Sequence, residues 1–267
     1  MQNDIHDDIH HGIEQDHIPD KPILFSVGHR CTTASLIKEL RLKFESYPFD
    51  WIVSKLETVK HCIETDFVIF LDKDQYSKIT SETLNLCDDT KIHVTSESIV
   101  YNTYYESVLA TKGRDGLPNR RGTYGYMLAL THHDMTVEKD HEYFERCVNR
   151  FRRILASDKK KFYLYVNPLI GPKEFDASSA DLLLHFIEFG EFMATKTARS
   201  FGIFFIVVKN EERKHEVVNI YECDAMVVFV MYTNNNLVDG GGVYDGDFYT
   251  EQYKMLVTIE NVIQTRV

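Results

Sequence analysis

Two runs in the second half of the chain, Phe204-Phe205-Ile206-Val207-Val208 and Met226-Val227-Val228-Phe229-Val230, are apolar at every position. A strand with one face in water alternates polar and apolar residues. A strand that is apolar throughout needs cover on both faces, as at the centre of an α/β sheet. Further strand signals lie at residues 23–27, 67–71, 92–95, 124–131 and 162–166, and the two apolar runs belong to strands over 202–208 and 224–232. Helical patterns fall between them at 32–42, 56–64, 140–156, 178–197 and 248–263. This order predicts an α/β fold, with a mixed, largely parallel sheet and helices on both faces.

The chain has 267 residues, 43% of them hydrophobic and 12% aromatic, enough to fill one large core. Residues 1–20 carry six acidic residues and four histidines (His6, His10, His11, His17) with little apolar content, so they are read as a tail preceding a single α/β domain over 21–267. No run reaches the roughly 20 apolar residues of a spanning helix, and the acidic N-terminus lacks a signal-peptide core. The five cysteines, Cys31, Cys62, Cys87, Cys147 and Cys223, are scattered and form no C-x-x-C pair. That pattern fits a reducing compartment, and a soluble cytoplasmic protein is expected. A net charge of -11 argues against nucleic acid as a partner. The local exception is Arg146, Arg150, Arg152 and Arg153 with Lys159-Lys160-Lys161, read first as a solvated helix face and second as an anion site.

The chemistry concentrates at Ser26-Val27-Gly28-His29-Arg30-Cys31. An apolar strand ends there, Gly28 permits a tight turn, and helical spacing begins at Thr32. Cys31 therefore falls at a helix N-terminus, where unpaired N–H groups and the macrodipole favour a thiolate, with His29 and Arg30 as neighbouring cations. The competing reading is a small core cysteine.

The segment S-V-G-x-x-C is followed by a short helix, then S-Y-P-F-D-W-I at 46–52 and D-F-x-x-F-L at 66–71. Together with the Thr131-His132-His133-Asp134 element and the helix at 143–155, whose Arg146, Arg150 and Phe151 are similar to the family's R-x-x-R-F run, it resembles a domain family of unknown function described as papain-like cysteine peptidases. The resemblance extends over roughly 23–167. It implies Cys31 as nucleophile and His133 as base. Such chemistry also needs a group that orients the imidazole, and both Asn167 and Asp134 are open for that role. A strand running straight into the nucleophile departs from a strict papain arrangement and looks more like an elbow on an α/β sheet, although G-x-S-x-G is absent. Pro48, Phe49, Asp50 and Trp51, with Gly28, are expected to shape the site or to form a structural corner.

The sequence thus predicts a cysteine-dependent hydrolase or acyl transferase, of thiol-protease type, acting on a peptide or other acyl substrate without a cofactor, nucleic acid or membrane. The oligomeric state is open. A rival reading starts from Asp72 and Asp74, placed as D-x-D at the end of an apolar strand. Such a pair would hold Mn or Mg with a nucleotide sugar in a metal-dependent glycosyltransferase. Asp245 and Asp247 form a second such pair. A noncatalytic binding module is the third reading. The loops at 112–122 and 238–242 are read as surface turns, the first alternatively as a lid.

Overall fold

A computed structural model describes residues 22–29, 31–79, 99–105, 128–130, 132–169, 172–233 and 246–267. The elements are β1 (Ile23–Ser26), α1 (Cys31–Glu39), β2 (Ile52–Ser54), α2 (Leu56–Glu64), α3 (Val68–Leu71), a 3-10 turn (Lys73–Gln75), β3 (Tyr76–Ile79), β4 (Ile99–Asn102), β5 (Leu128–Leu130), α4 (Glu138–Ala156), β6 (Lys161–Leu169), α5 (Pro172–Lys196), β7 (Ser200–Lys209), β8 (Val217–Cys223), β9 (Met226–Thr233) and α6 (Gly246–Arg266).

The two all-apolar runs are β7 and β9, side by side and parallel in a five-stranded sheet of order β1-β6-β7-β9-β8. β1, β6, β7 and β9 are parallel, and only the edge strand β8 runs the other way. One face of the sheet packs Leu164, Val166, Ile203 and Phe205 against Leu36 and Ile37 of α1 and Met255 and Ile259 of α6. The other packs Tyr163, Tyr165, Phe204 and Ile206 against Phe144 and Phe151 of α4 and Phe186 and Phe189 of α5. Cover on both faces is what the uninterrupted apolar runs require, and the fold is mixed α/β with a largely parallel sheet. No helix among the described residues is long and apolar enough to cross a membrane.

A second sheet, β2-β5-β4-β3, is antiparallel throughout and contributes Ile52, Val100, Leu128 and Leu130 to the same core as α4 and α5. Its strands are three or four residues long.

The pattern at 67–71 predicts a strand, and the structure corrects it. Asp66 and Phe67 take positive φ values of 48° and 61°, and Val68–Leu71 is one turn of helix. The spacing of Phe67 and Phe70 puts both on one side of that turn, where they meet Phe49, Phe144 and Phe151 while Val68 stays exposed. Burying each ring is worth about 1.5–3 kcal/mol, which outweighs the strand preference of so short a run. The rival D-x-D therefore does not end a strand. Asp72 accepts a hydrogen bond from the Asp74 backbone N–H at 3.1 Å and opens the 3-10 turn, and Asp74 is exposed.

Candidate active site

In an open parallel sheet the carboxyl ends of the strands form the mouth where ligands bind. Here β1 pairs with β6 only as far as Ser26↔Leu164, while β6 continues to Leu169. The turn after β1 takes the place beside that overhang. Val166 N–H donates to Thr33 Oγ1 at 3.3 Å, and Thr33 Oγ1 donates to the Gly28 carbonyl at 3.0 Å, so the start of α1 is tied to both β6 and the turn. Ser26 Oγ accepts from Gly28 N–H at 3.1 Å and donates to the Phe49 carbonyl at 3.3 Å. The small polar residues of the S-V-G-x-x-C stretch thus hold the turn's shape.

Gly28 has φ +94°, a backbone that favours glycine, and a Cβ there would lie 2.0 Å from Ser54 Oγ, which would have to turn away. His29 follows with φ 68°, a left-handed backbone that non-glycine residues rarely keep without a reason. Its carbonyl accepts from Ser54 N–H at 3.3 Å, which pins the turn to the end of β2. Its ring Nδ1 lies 3.1 Å from the Tyr165 hydroxyl, with the ring centroids 5.4 Å apart. Cys31 is the first residue of α1, partly exposed and a free thiol. Arg30 lies outside the described residues.

Three residues not singled out by the sequence form a chain of neighbours that begins at the His29 ring. Tyr165 is buried, and burial followed by the nearby Glu57 carboxylate pushes its ionisation well above the ordinary phenol range, so it is a neutral hydroxyl. Glu57, on the first turn of α2, stands 3.2 Å from Nε2 of His185 on α5. No local pattern marks these positions, because three separate elements bring them together. Asn167 lies two residues beyond Tyr165 on the same face of β6. It is 3% exposed, and its side-chain nitrogen is buried with no hydrogen-bond partner among the described residues.

His133 and Asp134 lie after β5, beyond the Ile52 end of the β2–β5 pair, whereas the His29 turn joins β2 at Ser54. The His133 ring stacks on Tyr143 at 4.8 Å between centroids, and its Nδ1 is 3.4 Å from Asp140. Asp134 is 2.6 Å from Lys78 and accepts from Thr136 N–H at 3.0 Å, turning the chain into α4. Among the described residues no hydrogen bond or ion pair joins Cys31 to His133 or to Asp134.

The Pro48-Phe49-Asp50-Trp51 quartet is a packed corner. Pro48 is buried, and Phe49 is fully buried against Phe67, Phe70 and Phe151. Asp50 accepts from Tyr47 N–H at 2.8 Å and pairs with Lys43 at 3.1 Å, and Lys43 sits 4.5 Å over the Trp51 ring. The α4 arginines are likewise engaged. Arg153 and Arg150 meet Glu45, and Arg152 meets Asp66. Those pairs favour the solvated helix face over an anion site. Among the described residues no group of three or more His, Cys, Asp or Glu side chains is placed to hold a metal ion. The tail 1–20, Cys87, both glycine-bearing loops, Asp245 and the Asp247 side chain lie outside what the structure describes.

Residues 23–111 match the model of a family of unknown function described as "Putative papain-like cysteine peptidase". The matched segment holds the Gly28 turn, His29, Cys31, the corner at 47–51, Ser54 and Glu57. His133, Tyr165, Asn167 and His185 lie beyond it. No curated protein and no solved structure matches the chain.

Proposed function

We propose that the protein is a cysteine-dependent hydrolase or acyl transferase whose nucleophile is Cys31. The observation that carries this reading is the position of that thiol: partly exposed, first in α1, at the carboxyl mouth of the parallel sheet and inside the family-matched segment. Cys62 and Cys147 differ sharply. Both are buried, and burial pushes their thiols up to about 12 and about 11.

In the reaction an imidazole takes the Cys31 proton and the thiolate attacks an acyl carbonyl. The new S–C bond forms as the carbonyl π pair moves to oxygen. Backbone N–H groups of the first turn of α1 are donors for that oxyanion. When the tetrahedral intermediate collapses, the leaving amine or alcohol takes the proton from the imidazolium. Water or another acceptor then releases the acyl group from the thioester. A peptide, isopeptide or other acyl bond fits this chemistry.

The test is adduct mapping on full-length protein with a peptidyl vinyl sulfone, which alkylates activated cysteine nucleophiles. The expected adduct is on Cys31 and is lost in Cys31→Ser. Labelling that spares Cys31 while the protein is folded would overturn the proposal. The D-x-D reading has no comparable support, because Asp72 is occupied in a local turn.

A further inference from the structure

We infer that a second site, for a carboxamide, lies at the carboxyl ends of β1 and β6 on the α5 side of the sheet, built by Ser54, Glu57, Tyr165 and Asn167. The topology points to that place. The chain leaves β1 into α1, which packs on one face of the sheet, and leaves β6 into α5, which packs on the other. β1 and β6 are neighbours, so their connections diverge above the strand ends, and such a divergence is where open α/β sheets bind ligands. Tyr165 and Asn167 stand on β6 toward that end, about 6.6 Å apart along the strand and on the face that carries α5. The Tyr165 hydroxyl is 3.1 Å from His29 Nδ1 and feels the Glu57 charge, and Glu57 Oε1 is 3.2 Å from His185 Nε2. Ser54 joins the group through the turn, since its Oγ lies 2.0 Å from where a Gly28 Cβ would fall.

Three buried polar atoms of this group have no hydrogen-bond partner among the described residues: Asn167 Nδ2, Ser54 Oγ and Glu57 Oε2. Asn167 is 3% exposed and Ser54 0%, so bulk water does not satisfy them. Folded chains leave few such atoms, and each costs free energy until something bonds to it. Their chemistry defines the complement. Glu57 Oε2 accepts, Asn167 Nδ2 donates, and the Ser54 hydroxyl does either. A carboxamide answers both kinds on one planar group, its N–H donating to Glu57 and its oxygen accepting from Asn167. A carboxylate ligand would face the Glu57 charge, and an ammonium would leave the Asn167 donor unanswered. Glu57 and His185 keep 19% and 12% of their side chains exposed, so the group opens to solvent at these two, with Tyr165 and Asn167 behind them. A glutamine side chain and a peptide backbone both present the required group. Cys31 has no part in the inference, because α1 packs on the other face of the sheet.

The experiment is calorimetric titration of the full-length protein with the N-acetyl methylamides of glutamine, norleucine, lysine and glutamate. The first carries a side-chain carboxamide, and all four carry backbone amides. Binding of the glutamine probe about tenfold or more tighter than the other three assigns the site to a side-chain carboxamide. Equal, saturable binding of all four assigns it to a peptide backbone. In either case Asn167→Leu should weaken binding about tenfold or more while leaving the urea-unfolding midpoint at or above that of the wild type, because the change removes a buried donor that bonds to nothing within the described structure. A purely structural asparagine would lower the midpoint instead. Asn167→Asp keeps the shape and turns the donor into an acceptor, and it should weaken binding as well; it serves as the test if Asn167→Leu does not fold. Tighter binding of the lysine or glutamate probe, no saturable binding of any probe, or binding that neither Asn167 variant weakens would overturn the inference.

Discussion

A side chain on Gly28 would put its Cβ 2.0 Å from the hydroxyl oxygen of Ser54, the residue whose N–H donates to the His29 carbonyl and ties this turn to the end of β2. Gly28→Ala should therefore cost about 1–3 kcal/mol for forcing an alanine to φ +94°, plus about 1–3 kcal/mol of overpacking. Ser54 Oγ is buried without a hydrogen-bond partner among the described residues, so Ser54→Ala alone should cost at most about 1 kcal/mol. In the double variant the clash disappears and only the backbone strain remains. A urea-unfolding cycle over the four proteins checks this, and simple additivity of the two single changes would refute the contact.

Asp50 supplies a pH prediction. Burial is the largest influence on its carboxyl and pushes it above the usual range, against the Lys43 ammonium and the Tyr47 N–H, which pull it down. A carboxyl raised in the folded state binds its proton more tightly there than in the unfolded chain. Its contribution to stability therefore grows as pH falls through the folded value, and levels off below the unfolded value near 3.8. Asp50→Asn deletes this dependence. Relative to that variant, the wild type should gain stability between pH 7 and pH 4, measured by urea unfolding at each pH. A difference that is flat with pH, or that moves the other way, would show that Lys43 rather than burial governs the site.

Much of the fold was legible because its strongest constraint is local. The all-apolar runs of β7 and β9 announce a doubly covered sheet, and the helical spacing of 56–64 coincides with α2. Cys31 could be placed at a helix start because Gly28 ends the strand and periodicity changes at once. The antiparallel sheet was not legible beyond β5, since strands of three or four residues carry too few alternations to be seen. The run 67–71 misleads for the same reason. The contact between His29 and Tyr165 joins residues 136 apart, and only the β1–β6 register brings them together. Glu57 and His185 meet through α2 and α5, whose mutual packing no sequence pattern encodes.

The acidic pair Asp72 and Asp74 gives a prediction that separates enzyme classes. Because Asp72 serves the 3-10 turn, Asp72→Ala should cost about 0.5–2 kcal/mol of stability, as loss of a capping acceptor does. Calorimetric titration of Mn²⁺ with a nucleoside diphosphate, on protein lacking residues 1–20, should show no binding that depends on Asp72 and Asp74. Binding abolished by the double alanine variant would favour the transferase.

The central claim is that one thiol is set apart from the rest, and competitive alkylation tests it most directly. Folded protein is treated at pH 7 with limiting iodoacetamide, and each cysteine peptide is quantified over time. Cys62 and Cys147 should stay unmodified, because burial raises their thiols to about 12 and about 11 and withholds them from the reagent. Cys223 is partly exposed and is the internal reference for an accessible thiol. The expected result is a Cys31 rate about tenfold or more above that of Cys223. A Cys31 rate equal to or below that of Cys223 would contradict the account.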